Sequence, residues 1–197
     1  MSEIWAIILA AGESKRMKTP KMLLTIDGMT MIEKVIENLR ESEIDKMMVV
    51  TGAYREEIQK VTGPLPVMHC YNDNYKLGML SSVKCGFRAI PAEAGAVLVF
   101  PGDQPGITYQ VINLVIESYR ATNKGIVIPV FRKKRGHPVL IDIKYRNEVE
   151  KLDPEVGLRS LSLLFREDVL EVDTDTSAIL KDIDTYEDYI NSINQIQ

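Results

Sequence analysis

Short apolar runs alternate along the chain with stretches whose apolar residues recur at helical spacing. Ile4 to Leu9 is a continuous apolar run closing on the small residues Ala10, Ala11 and Gly12, the form of a strand buried on both faces of a parallel sheet. Between Thr30 and Glu41, Met31, Ile32, Val35, Ile36 and Leu39 mark a helix, and Thr30 with Glu33 predicts a capping box at its start. Strands follow over Lys46 to Thr51 and Val67 to Tyr71, with a short helix over Tyr54 to Lys60 between them. Met79 to Ala89 reads as a helix, Ala96 to Phe100 as a strongly buried strand, and Tyr109 to Ala121 as a helix begun by Thr108. Ile126 to Phe131 and Pro138 to Ile141 are strands separated by the basic segment RKKRGH. The last third is less regular: helices over Asp142 to Lys151 and Val156 to Arg166, short strands over Val169 to Val172 and Ala178 to Lys181, and a final helix over Tyr186 to Ile193.

This βα alternation predicts an α/β fold of three layers, α/β/α, around a mostly parallel sheet joined by right-handed crossovers. No repeat, linker or low-complexity tract divides residues 1–197, and a single domain is expected. Ligands of such sheets sit beyond the carboxyl ends of the strands. The segments Ala10 to Lys21, Asn72 to Ser82, Pro101 to Pro105 and Arg132 to His137 therefore hold the candidate chemistry.

Composition narrows the classes. A chain of 197 residues with 45% hydrophobic and 26% charged residues can fill one core. A net charge of -4 argues against nucleic acid or anionic lipid as a partner, so an anionic ligand must meet local cations. The first apolar run is too short to cross a bilayer and has neither a basic leader nor a cleavage motif, which predicts a strand and no membrane association. Cys70 and Cys85 form neither a CxxC pair nor a disulfide framework, and fit a reducing cytoplasm.

The loop LAAGESKRMKTPKMLL, Leu9 to Leu24, places small residues at a strand end and spaced cations after it. Without bulky side chains at Ala10, Ala11 and Gly12, backbone amides can approach a nucleotide, while Arg16 and Lys21 offset phosphate charge; Lys15 and Lys18 fit solvated positions equally well. The Walker A and GxGxxG patterns are both missing, which disfavours an ATPase or a dehydrogenase. PGDQPG puts Asp103 just beyond the most apolar strand, where one carboxylate and a triphosphate can share a magnesium or manganese ion; an Asx turn before Pro105 is the plainer alternative. In NDNYKLGMLSSVKCG, Gly78, Ser81 and Ser82 stand at a helix start, where nucleotide contact and simple capping are both open. Arg132, Lys133 and Lys134 suit a solvated hairpin, and His69 suits a half-buried strand position. Asp182 and Asp184 alternate, so an extended backbone would turn both carboxylates to one side, while Thr185 caps the last helix.

The first loop closely resembles the LAAGxSxRMxxPKxLLxxxG signature of MobA-like NTP transferases acting on molybdenum cofactor, with Gly28 completing it. The DxP element at Asp103 to Pro105, the N-x5-GMxxS element from Asn72 to Ser82, GHPVL from Gly136 and DIDTYEDY near the end follow in that family's order. Tyr186 departs from the proline usual there. The resemblance implies a Rossmann-like nucleotidyltransferase fold with a mixed sheet, a nucleotide-binding half over about residues 1–106 and an acceptor-binding half over about 107–197. It implies that Leu9, Ala10, Ala11, Gly12, Gly78, Ser81 and Ser82 bind nucleotide, that Arg16 and Lys21 meet its phosphates, and that Asp103 holds the metal. His137, Asp182 and Asp184 are then acceptor-side residues.

Within the family the resemblance is to the molybdenum cofactor cytidylyltransferases. It implies CTP as donor, molybdopterin carrying molybdenum as acceptor, and a molybdenum hydroxylase as recipient of the dinucleotide. Ala11 adds a methyl group where guanylyl-transferring relatives have glycine, which favours a smaller pyrimidine. Other NTPs, a sugar or alcohol phosphate acceptor, and a carrier without catalysis remain open alternatives.

Overall fold

All seven residues of β1 (Ile4–Ala10) are buried, with Trp5, Ile7 and Leu9 in one apolar cluster and Ile4, Ala6, Ile8 and Ala10 in another. This strand therefore has a helical layer on each face, as a continuous apolar run requires. The structure, a computed structural model, describes residues 2–194. After β1 come the hairpin strands β2 (Thr25–Ile26) and β3 (Met29–Thr30), then α1 (Met31–Arg40), β4 (Lys46–Thr51), α2 (Arg55–Thr62) and β5 (Met68–Tyr71). Next are α3 (Met79–Ala89), β6 (Ala96–Pro101), α4 (Tyr109–Ala121), β7 (Ile126–Phe131), β8 (Lys134–Arg135) and β9 (Val139–Asp142). The chain closes with α5 (Arg146–Lys151), α6 (Arg159–Leu164), β10 (Val169–Asp173) and α7 (Tyr186–Asn194).

The main sheet runs β10-β7-β9-β6-β1-β4-β5, with β8 paired to β7. The β5-β4-β1-β6 block is parallel, and β9 is inserted antiparallel between β6 and β7. From β1 the chain winds outward through β4 to β5, then returns to the other side of β1 as β6. The carboxyl ends of β1 and β6 thus flank a topological switch point. Core residues of α1, α2 and α4 cover one face; those of α3, α5 and α6 cover the other. The expected three-layer α/β/α architecture with a mixed, mostly parallel sheet is the observed one. No helix among the described residues is long and apolar enough to cross a membrane.

The capping box forms as the sequence predicts: Thr30 Oγ1 accepts from the Glu33 amide, and the Thr30 amide donates to the Glu33 carboxylate. Three local expectations need correction. Ala178 to Lys181 is not a strand; Ser177–Leu180 is a 3-10 turn, started by Thr176 Oγ1 accepting from the Ala178 amide. The helix expected from Asp142 starts four residues later, because Asp142 ends β9 and a 3-10 turn intervenes. The helix expected from Val156 is confined to α6, since Gly157 takes a φ of +74° that interrupts any helix through it. The β2–β3 hairpin went unpredicted, although Asp27 and Gly28 occupy its two-residue turn with positive φ, a strong hairpin signal.

Asn38 is the one polar side chain among the buried residues of α1, and its Nδ2 donates to the Pro105 carbonyl at 2.9 Å. It ties the helix layer to the loop that follows β6. Replacing Asn38 with Ala leaves that carbonyl without this partner, and we expect a loss of about 1–3 kcal/mol, read as a lower urea midpoint at unchanged m-value.

Candidate active site

The loops leaving β1 and β6 are held together at their backbones. The Gly102 amide donates to the Leu9 carbonyl at 3.0 Å, and the Ala53 amide beyond β4 donates to the Ala11 carbonyl at 3.2 Å. Glycine is needed at position 52, because a Cβ there would stand 2.5 Å from the Ala11 carbonyl oxygen. In the same loop Ser14 and Lys18 take positive φ, and Ser14 Oγ accepts from the Lys21 amide at 3.2 Å. These contacts fold Gly12 to Pro20 back so that Lys21, at the start of a 3-10 turn, points under the loop with only 9% of its surface exposed.

Lys21 Nζ lies 2.6 Å from Asp103 Oδ2 and 2.8 Å from Asp184 Oδ1. Arg16, largely exposed, reaches the other oxygen of Asp184 at 2.8 Å. Burial pulls the Lys21 ammonium toward neutrality, but Asp103 and Asp184 outweigh it and hold its pKa above the usual lysine range. For Asp103 burial dominates: it raises the carboxyl pKa, the ammonium offsets that only in part, and nearby Asp182 adds to the rise. Burial also acts on Asp184, yet Lys21 and Arg16 prevail and lower its pKa. Asp182 is hydrogen-bonded by Gln104 Nε2, and the Ile183 amide between the two aspartates donates to the Asp103 carbonyl at 3.0 Å. Ile183 packs with Ile26 and Met31 while its two neighbours turn to Gln104 and Lys21, the alternation that an extended segment imposes.

The third wall is the segment between β5 and α3. Asn72, 3% exposed, donates from Nδ2 to Ser81 Oγ at 2.8 Å and to Ser82 Oγ at 3.0 Å. Ser81 Oγ also donates to the Gly78 carbonyl at 2.7 Å, so both serines serve the start of α3. Gly78 has a φ of +91°, a conformation costly for a side-chain-bearing residue, and a Cβ at Gly12 or Gly78 would meet nothing within 4 Å.

The fourth part lies on the other side of Asp103. His137 precedes β9, its amide donates to the Ile179 carbonyl at 3.0 Å, and its Nδ1 is buried with no hydrogen-bond partner among the described residues. Burial lowers the His137 pKa although Asp182 and Asp103 act against it. His137 and Met79 also line a cavity of about 650 Å³ whose walls include Ile126, Ile128 and Val139 and whose mouth carries Lys133, Lys134 and Arg159. The chain turns from β7 into β8 through Arg132 and Lys133, both at positive φ without being glycine. Sequence reasoning treated these cations as solvated and did not single out Arg159, Asn72, Gln104 or Gly52 as site residues. Lys15 is paired with Glu13 on the surface, and His69 is half-buried with Nε2 2.7 Å from Thr62 Oγ1.

No group of three or more His, Cys, Asp or Glu residues is arranged for a metal among the described residues. The two carboxylates that come together, Asp103 and Asp182, are hard oxygen ligands, and burial first and Asp182 second raise the Asp103 pKa. That fits a magnesium-type ion, which needs few protein ligands when phosphates and water complete its shell.

A family model described as the MobA-like NTP transferase domain matches residues 6–169. The chain belongs to this family. A molybdenum cofactor cytidylyltransferase from Escherichia coli K12 is 27% identical to this MobA-like protein over 193 residues, 98% of this chain and 96% of the relative. A bifunctional protein GlmU from Clostridium tetani is 39% identical over 120 residues, 60% of this chain, but the match spans only 26% of the GlmU chain. In fold, Rv0371c of Mycobacterium tuberculosis superposes with a TM-score of 0.87 at 22% identity, covering 98% of both chains, and it has also been crystallised as a manganese complex.

In this MobA-like protein the raised Asp103 pKa carries a sign. A group that binds its proton more tightly when folded favours folding at low pH and loses that contribution as pH rises through its folded pKa. Asp184, with its lowered pKa, works the opposite way: its contribution is present above the usual carboxylate range and is lost as pH falls through its folded pKa. At pH 7 and without nucleotide, Asp103→Asn is therefore expected to melt at the same temperature as wild type or higher, and Asp184→Asn lower. Calorimetry of the three proteins checks this, and a marked drop for Asp103→Asn would reverse the assignment.

Proposed function

We propose that this protein is a nucleotidyltransferase that moves CMP from CTP to the terminal phosphate of molybdenum-loaded molybdopterin, giving molybdopterin cytosine dinucleotide and pyrophosphate. The observation that carries the reading is the junction at the switch point, where Arg16 and Lys21 from the first loop meet Asp103 and Asp184. Cations already tethered to carboxylates are held in place for a triphosphate, whose oxygens compete for the same N–H donors. Leu9 to Gly12 supply backbone around the base and ribose, and Gly78, Ser81 and Ser82 supply the opposite wall. The open space over Gly12 and Gly78 suits close approach of a ligand.

An acceptor phosphate oxygen attacks the α-phosphorus, the new P–O bond forms, and the bond to the leaving pyrophosphate breaks. Arg16 and Lys21 offset the charge that builds on the leaving group, so catalysis rests on positioning and electrostatics without a protein nucleophile. Asp103 and Asp182 would hold magnesium or manganese, which when bound polarises phosphate oxygens. Asp184 keeps Lys21 oriented. The acceptor lies on the His137 side, in the cavity of about 650 Å³, whose apolar walls and cationic mouth suit a flat ring bearing phosphate. Alignment with the Escherichia coli molybdenum cofactor cytidylyltransferase over 98% of this chain supports this acceptor.

A second reading is cytidylyl transfer to a sugar or alcohol phosphate, because the loop from Leu9 to Lys21 addresses the nucleotide and leaves the acceptor undefined. The donor base is the other open choice. Ala11 is buried and its methyl lies beside Gly52.

Incubating the protein with magnesium, molybdenum-loaded molybdopterin and CTP, GTP or ATP in turn, and measuring pyrophosphate, should show turnover with CTP. Turnover only with a sugar phosphate acceptor would favour the second reading, and tight cofactor binding without pyrophosphate under any nucleotide would indicate a carrier. Asp103→Ala should lower kcat by roughly 10²-fold, the scale of losing one major electrostatic contact. Ala11→Gly should raise turnover with GTP relative to CTP.

A further inference from the structure

Cys70 on β5 and Cys85 on α3 approach each other with their sulfur atoms 3.7 Å apart, and both are partly accessible. Neither has a part in nucleotidyl transfer. Cys85 Sγ also lies 3.5 Å from the Tyr71 carbonyl. The Cys70 thiol can donate to a Cys85 thiolate, and together with the Arg88 guanidinium this draws the Cys85 pKa down to about 7, against burial and Asp73. The same contact pushes the Cys70 thiol up. The two thiols are thus unequal: Cys85 is the readier of the pair to ionise, and Cys70 the readier to keep its proton.

We propose that Cys85 and Cys70 form a peroxide-reactive dithiol that closes to an intramolecular disulfide across the base of the Asn72–Ser82 segment. Cys85 thiolate attacks one oxygen of a hydroperoxide; the S–O bond forms, the O–O bond breaks, and the departing oxygen leaves as water or alcohol after taking a proton. Cys85 is then a sulfenic acid, which no longer offers the charge that kept Cys70 protonated. Cys70 gives up its proton and attacks the Cys85 sulfur; the S–S bond forms and the S–O bond breaks, releasing water. Two thiols are oxidised to a disulfide and one peroxide is reduced. The sulfurs need to approach by about 1.7 Å to reach disulfide length.

The position of the pair couples it to the site. Cys70 is two residues before Asn72, and Cys85 is on the same helix as Ser81 and Ser82, which Asn72 holds. A covalent tether between β5 and α3 changes how these three residues are spaced, so weaker nucleotide binding is expected in the oxidised protein. This last step rests on the nucleotide-binding reading; the thiol chemistry does not.

Intact-mass and peptide analysis after hydrogen peroxide treatment tests the chemistry. Wild type should lose the mass of two hydrogens, yield a Cys70–Cys85 cross-linked peptide and recover with a dithiol reductant. Cys70→Ser should stop at a Cys85 sulfenic acid trapped by dimedone, and Cys85→Ser should react roughly tenfold more slowly at pH 7, in line with its smaller thiolate fraction. Independent over-oxidation of each cysteine, or no reaction in folded protein whose circular dichroism is native, would overturn the assignment. Calorimetric titration with magnesium–CTP then compares the reduced and oxidised forms. Several-fold weaker binding after oxidation supports the coupling, and equal affinity overturns that part while leaving the disulfide. Failure of the reduced protein to bind CTP would count against the nucleotidyltransferase reading alone.

Discussion

The Lys21 ammonium joins segments far apart in the chain. It is hydrogen-bonded to Asp103, 82 residues away, and to Asp184, 163 residues away, and it leaves the loop that carries Arg16. A buried ammonium is tolerated only with partners that offset its lost hydration, and here two carboxylates supply them. Because Asp184 also pairs with Arg16, the first loop and the last extended segment of the described chain are clamped around the end of β6. Three further contacts fix groups around that clamp: Ile183 holds the Asp103 backbone, Gln104 holds Asp182, and Asn38 holds the Pro105 carbonyl.

The electrostatics around this clamp are uneven. Asp184 is stabilised as a carboxylate, whereas burial and Asp182 leave Asp103 reluctant to ionise. A site that keeps an under-compensated carboxylate at the exit of its most buried strand has not been optimised for the stability of the free protein. The imbalance is of the kind that a cation added beside Asp103 relieves.

The residues legible in the sequence were those that follow strongly apolar strands. Ala10 to Lys21 and Asp103 could be located because β1 and β6 are buried on both faces and end abruptly, and the capping box placed the start of α1. The partnership of Asp184 with Lys21 depends on tertiary closure over most of the chain and has no local signal. Asn38 looks like an ordinary polar residue in a helix, and Gly52 like any loop glycine, until the carbonyls of Pro105 and Ala11 are seen beside them. Ile126, Ile128 and Val139 read as strand residues, which they are; that they also wall a cavity with Leu158 and Leu161 depends on tertiary packing and has no local signal. Asp27 and Gly28 carried a hairpin signal that sequence reasoning passed over.

The antiparallel setting of β9 has a geometric consequence. Residues that precede an antiparallel strand arrive at the same edge of the sheet as residues that follow its parallel neighbours. His137, which enters β9, therefore comes to rest beside Asp103, which leaves β6, although both stand on adjacent strands of one sheet. Arg132 to Pro138 thus reach this edge from the opposite strand direction, anchored by the His137 amide on the Ile179 carbonyl. One edge of the sheet thus receives chain running in both directions, and residues distant in sequence meet there.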